Sequence, residues 1–249
     1  MTRLWSDARR LEIWLDVELA MTAARERRGD VPAGTVERVR RTARLDEARM
    51  LAIEAEVHHD VIAFLSMVAE SVGDDARHLH AGMTSSDLVD TALAVQIVEA
   101  GRVLAADVAR LRGTVHRLAQ AHRRTPMVGR THGVHAEPIT FGLVCLLWSE
   151  ELGRAQRRLR SAVDECAVGK YSGAVGTLAH LDAALELEAL ASLGLAPEPV
   201  ANQVVQRDRH AALLAVIAVL GGTLDKIALE IRHLQRTEVR EAEEPFTPG

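Results

Sequence analysis

Two stretches of this chain repeat apolar residues at alternating spacings of four and three. Leu104, Val108, Leu111, Val115, Leu118 and His122 form one series; Leu213, Ile217, Leu220, Leu224, Ile227, Ile231 and Leu234 form the other. Each is a sustained heptad seam, the pattern of long helices packed at shallow angles. The first of these helices is predicted to stop near Thr125-Pro126, because a residue before proline is pushed out of the helical region. Another is predicted from about Ile139 to Val163, with Pro138 near its first turn. Hydrophobic residues make up 48% of the 249, enough for a substantial core. With only three Phe, three Trp and one Tyr, that core must be built from Ala, Leu and Val, which favours packed helices over a sandwich or barrel.

The fold class expected is therefore all-α. Shorter helices are predicted at about Asp7–Arg28, from near Pro32, from about Asp46 to Glu70, and after Thr84. Strand signals are weak everywhere. A boundary near Gly101 separates a short-helix domain, residues 1–101, from a long-helix bundle domain, residues 102–249. The long helices, starting at 102, 139 and 208, carry more apolar stripe than two or three helices can cover on each other. That favours a bundle completed by other chains.

Charge and residue usage narrow the function. The net charge of −5 gives no general reason to expect nucleic acid or a membrane surface. Lys170 and Lys226 are the only lysines, and no P-loop pattern occurs. Cys145 and Cys166 form no CxxC and read as buried free thiols in a reducing compartment. Met1 is followed by polar, helix-forming sequence, so no signal peptide is expected. No apolar run approaches about 18 residues, so no transmembrane span is expected either. A soluble cytoplasmic protein follows from these readings.

Polar segments interrupt the helices. VHHDV, residues 57–61, places His58, His59 and Asp60 inside an apolar series. HLHAGMTSSDLVD, residues 78–90, contains Thr84-x-x-Asp87, a capping box before an apolar run. A capped helix start also offers free N–H groups and hydroxyls to an anion, although Asp87 and Asp90 would oppose it. GRTHGVHAEP, residues 129–138, holds His132, His135 and Glu137. Without HExxH or a nearby cysteine, zinc is a weak reading there; proton transfer suits a Thr-His pair better, and helix capping is the plain alternative. GKYSGAVGT, residues 169–177, follows no strand, which excludes a dinucleotide fingerprint. NQVVQRDRHA, residues 202–211, gathers Gln203, Gln206, Arg207, Asp208, Arg209 and His210 at a helix start.

As a set, LWSDARRLEIWLDVELA, HHDVIAFL, HAGMTSSDLVDTAL, GRTHGVHAEPITFG, GKYSGAVGT, QVVQRDRHA and EVREAEEPF resemble the fumarase/aspartase superfamily, and within it the adenylosuccinate lyases. They stand in that family's order over nearly the whole chain. Carboxymuconate cycloisomerases share a similar Thr-Ser segment; QRDRHA and HHDV tilt the choice to the lyases. The resemblance implies an all-α fold, a homotetramer whose pooled helices form one core, and active sites built by segments of three chains. It implies β-elimination of fumarate from adenylosuccinate, giving AMP, and from a succinylated carboxamide ribotide of purine synthesis, with no metal or cofactor. His132 resembles the general acid. His59 and Asp60, with His58 beside them, resemble a substrate-binding segment, Thr84 and Ser85 hydroxyl donors, and Gln203 a substrate-gripping glutamine. Thr131 and His80 lie in matching motifs and rank lower. His135 is expected to hold the loop in place.

The sequence departs from the family pattern at its edges. The serine-rich loop that bears the base, with its lysine and asparagine, has no counterpart before Gly249, and the Arg-Tyr pair that usually precedes LWSD is missing. The chain is expected to be a piece of a longer enzyme and inactive alone. The rival reading is a truncated helical assembly protein without catalysis.

Overall fold

Helices account for most of the structure, a computed structural model that describes residues 1–244. Pro245 and Phe246, which close the EVREAEEPF stretch, lie outside the described residues. After a single 3-10 turn at Thr2–Trp5 come α1 (Asp7–Arg28), α2 (Thr35–Thr42), α3 (Glu47–Val57) and α4 (Asp60–Val72). A second 3-10 turn, Gly73–His78, leads to α5 (Ser85–Ala121), β1 (Pro126–Thr131), β2 (Val134–Thr140) and α6 (Phe141–Cys166). The chain continues through β3 (Val168–Gly169), α7 (Ala183–Ser192), β4 (Ala196–Pro197) and α8 (Asp208–Leu234). The class is all-α, with β1–β2 antiparallel and β3–β4 parallel as two small sheets.

Local chemistry explains where the expected elements shift. Instead of one helix from Asp46 to Glu70 there are two, because His58 turns left-handed (φ 53°) to end α3 and His59 then caps α4. No helix starts at 102: α5 runs unbroken through Gly101 for 37 residues. One interior glycine costs a helix only about 1 kcal/mol. Strands do occur: the two-residue β3 leads into the glycine segment expected to follow none, and Pro138 belongs to β2, opposite Val128, rather than to a helical turn. A two-stranded ribbon consists of edges, where a missing N–H is tolerated. α6 accordingly starts two residues later than expected, at Phe141.

The chain divides into two compact units. One comprises residues 1–100 and 163–209, the other residues 101–162 and 210–249. In the first, α1 is capped by the Ser6 hydroxyl, which accepts from Arg9 N at 3.2 Å, and ends on left-handed Gly29. It buries Leu11, Trp14, Val17 and Leu19 with Phe64, Leu88, Tyr171 and Leu190 in a common core. Trp14 and Phe64 meet edge to face at 5.4 Å between centroids, a favoured aromatic arrangement.

In the second unit the end of α5 is tied to the start of α6. Gly142 N donates to His122 O at 3.0 Å and Phe141 N to Thr125 O at 3.0 Å. A side chain at Gly142 would fall 2.6 Å from Ala119 O, so only glycine permits this approach. The seams divide unequally by heptad position. On α8, Leu213, Leu220 and Leu234 are buried, whereas Ile217, Leu224 and Ile231 remain 39%, 41% and 40% exposed. On α5, Val108 and Val115 are buried while Leu111 and Leu118 stay 37% and 40% exposed. Each seam thus buries one of its two rows more than the other, with Ile227 in the buried row of α8 and Leu104 in the open row of α5 half-buried.

By length and composition α8 is also apolar enough to cross a membrane, with an 18-residue window of mean hydropathy 1.9 of which 17% is buried. That corrects the expectation that no segment would pass such a test: Gly221 and Gly222 interrupt the apolar run without lowering its average enough. Cys145 and Cys166 are free and buried, and burial pushes both thiols up.

The core of the first unit can be tested at Phe64, which is fully buried. Phe64→Ala is expected to cost about 3–5 kcal/mol, read as a lower urea midpoint with the slope unchanged.

Candidate active site

His59 is the N-cap of α4, and its Nδ1 accepts from Ile62 N at 3.4 Å. A neutral ring that accepts at Nδ1 carries its proton on Nε2. That nitrogen lies 3.3 Å from Ser85 Oγ, and in this tautomer the ring donates to the hydroxyl. Asp60 Oδ1 lies 3.5 Å from His59 Nδ1 and accepts from Val61 N at 2.7 Å. The structure therefore brings His59, Asp60 and Ser85 together, with Thr84 adjacent at the start of α5. His58, the exposed end of α3, serves as the helix cap.

The two carboxylates expected to repel an anion at this helix start are already neutralised. Asp87 is fully buried and pairs with the equally buried Lys170. Its Oδ2 also accepts from Thr84 N at 2.8 Å, the acidic half of the capping box. Asp90, one turn on, takes Arg207 Nη2 at 2.8 Å and Val205 N at 2.7 Å. What remains at the mouth of α5 is a positive helix end with the Thr84 and Ser85 hydroxyls, the latter in contact with His59, a place suited to a carboxylate or phosphate.

The bonds of Asp90 fasten the segment that carries Gln203, itself exposed and hydrogen-bonded to nothing among the described residues. His80, half-buried and left-handed (φ 56°), is held twice by the fully buried Glu18: its backbone N lies 2.7 Å from Oε2 and its Nδ1 2.6 Å from Oε1. Sequence reasoning missed Lys170, whose only local signal is being one of two lysines in the chain. It also missed Ser172, whose buried Oγ has no hydrogen-bond partner among the described residues.

His132 and Thr131 belong to the second unit, on the hairpin. Thr131 pairs with Val134, so His132 and Gly133 form a two-residue turn. Both have positive φ, 54° and 74°, as a type I′ hairpin turn requires. Thr131, His132, His135 and Glu137 are all exposed. The hairpin is anchored by Arg130 Nη1 on Glu241 Oε2 at 2.6 Å, and that guanidinium lowers the Glu241 pKa, with His135 adding to the effect. Among the described residues no three His, Cys, Asp or Glu side chains gather as metal ligands.

Comparison with known proteins shows what the chain as a whole is similar to. A family described as lyase matches residues 14–249. The chain is 46% identical over 249 residues to an adenylosuccinate lyase of Thermotoga maritima, covering 100% of this chain and 58% of that protein. It is 47% identical to one of Synechocystis sp., with the same coverage of each. The chain thus spans somewhat over half the length of these curated relatives. Among solved structures, a fumarate lyase from Mesorhizobium sp. BNC1 superposes with a TM-score of 0.88 at 28% identity, over 96% of this chain and 58% of that one. A 3-carboxy-cis,cis-muconate lactonizing enzyme from Pseudomonas putida gives 0.88 at 32% identity, over 100% and 59%.

The hairpin anchor predicts a pH response. Because the folded Glu241 pKa lies below the unfolded value of 4.5, its contribution is complete above that value and is lost as pH falls through the folded one. Acid titration followed by amide exchange at residues 126–140 should show the hairpin loosening below about pH 4.5. Arg130→Met should remove that transition.

Proposed function

This chain belongs to the lyase family, and from that premise we propose that it builds part of the active site of an enzyme that eliminates fumarate from adenylosuccinate, leaving AMP. The succinylated carboxamide ribotide of purine synthesis would be split in the same way. The observation that carries the reading is the 3.3 Å contact of His59 Nε2 with Ser85 Oγ at a helix start whose carboxylates are neutralised. Identity of 43–47% to several adenylosuccinate lyases supports the substrate over the cycloisomerase alternative, represented by a 32% identical structure.

In the proposed reaction a base removes a proton from the carbon beside a succinyl carboxylate. The C–N bond then breaks, a C=C bond forms, and an acid protonates the departing nitrogen. Thr84 and Ser85 hold a carboxylate on which charge builds, in the manner of fixed donors, with His59 at the same subsite orienting the Ser85 hydroxyl. His58, Asp60, Thr131 and Gln203 contact the rest of the substrate. His132 is the acid, and its exposed place on a hairpin tip suits delivery to a substrate held elsewhere. His135 supports the hairpin. No cofactor takes part in this scheme, and the base is a serine that these 249 residues do not supply. The working form is a cytoplasmic homotetramer with sites shared between chains, organised as a domain of residues 1–101 and a bundle of residues 102–249. The open seam rows on α5 and α8 support such an assembly.

The full-length native polypeptide should release fumarate from adenylosuccinate, and His132→Ala should lower kcat by about 10²–10⁴. An unchanged kcat would remove His132 from the acid role, and turnover of 3-carboxy-cis,cis-muconate instead would favour the cycloisomerase. The 249 residues alone should release none. Replacing Ile217 and Leu224 together by Glu should give a smaller species by light scattering, with helicity retained.

A further inference from the structure

We infer that Lys170 is a positioning residue: its buried pair with Asp87 locks the glycine loop of residues 169–177 onto the Thr84–Ser85 helix start. The inference rests on the proposed lyase reading for its activity test. Asp87 is the hub. Its Oδ2 accepts from Thr84 N at 2.8 Å, its Oδ1 takes Lys170 Nζ, and Gly173 N lies 3.2 and 3.3 Å from its two oxygens. The same Lys170 Nζ donates to Gly173 O at 3.1 Å, so one ammonium closes the loop on itself while pinning it to α5. Thr91, one turn after Asp87, holds the backbone of Lys170 from both sides, accepting its N–H at 3.0 Å and donating to its C=O at 3.1 Å.

The arrangement suits geometry better than stability. A buried ion pair contributes little net stability compared with well-packed apolar side chains of the same volume. This one places a fixed set of bonds between two candidate substrate-binding segments, and the loop it holds carries Ser172, whose buried hydroxyl has no partner among the described residues.

The test uses the full-length native polypeptide. Lys170→Met should raise the KM for adenylosuccinate about tenfold while kcat stays within about threefold, the signature of lost uniform binding. Amide exchange at Thr84 and Gly173, both of which donate to Asp87, should accelerate. The double variant Asp87→Asn with Lys170→Met removes the stranded charge. It should recover melting temperature relative to either single variant while keeping the raised KM. A role in stability alone predicts the reverse, with KM normal once the fold is restored, and that result overturns the inference. If the charge variants do not accumulate, Thr91→Val loosens the loop more gently and should raise KM about threefold; a wild-type KM there overturns it too. Wild-type enzyme that releases no fumarate would sink the lyase reading instead. Exchange at Thr84 and Gly173 would then decide the positioning role, with unchanged protection in the variants counting against it.

Discussion

A carboxylate stripped of water must find a cation and hydrogen-bond donors, and Asp87 finds both. Removing one partner of such a pair leaves the other charged and stranded, at a cost of about 3–5 kcal/mol. The constraint propagates outward. Lys170 must stay where it neutralises Asp87, so the glycine loop cannot drift. Asp90 imposes the same demand one turn later through Arg207 and Val205, which fixes the segment carrying Gln203. Residues distant in sequence are therefore collected along the first turns of one helix by two acids three residues apart. Such acids lie on the same helix face, and their neutralisation leaves the positive end of α5 free to act on a ligand.

The seams impose a different constraint. One heptad row of α8 is buried at Leu213, Leu220 and Leu234, and the other is left about 40% exposed at Ile217, Leu224 and Ile231. At roughly 25 cal/mol per Å² of apolar surface, an open row on helices this long is a persistent drive toward association. The exposure is nearly equal at each step, which supports the proposed packing of this row against further helices. This is why the lengths of α5, α6 and α8 and the proposed sharing of sites between chains belong to one explanation.

How legible these features were depended on how local their causes are. The seams could be read directly because the heptad period is carried by neighbouring residues, and the span of α1, Asp7–Arg28, for the same reason. The hairpin escaped because its turn is His-Gly rather than Asn-Gly and its strands are mostly exposed, so no apolar alternation announces them. The split at His58 escaped because a histidine, not a glycine, takes the left-handed cap. In the candidate site, Thr84, Ser85 and His59 were each named from local motifs. Their chemistry was only half visible, since His59 meets Ser85 across 26 residues and Asp87 meets Lys170 across 83. Contacts at such separations come from packing and leave no local trace. The sequence therefore suggested that Asp87 repels anions, when burial beside Lys170 gives it the opposite consequence.

Three candidate histidines, His58, His80 and His132, sit at positive φ. A left-handed backbone costs an ordinary residue about 1–2 kcal/mol, so each needs support. His58 has it as a helix cap, with its N–H on Glu54 O at 2.8 Å. His80 has it from Glu18, which takes both its backbone and its ring. Both conformations follow from packing and do not by themselves imply chemistry. His132 differs. Its conformation is set by a two-residue turn that asparagine or glycine would occupy with less strain, and its ring is exposed. Local stability gives no reason for an imidazole there. The hairpin holds an exposed imidazole at its tip, which is what the acid role proposed for His132 asks of it.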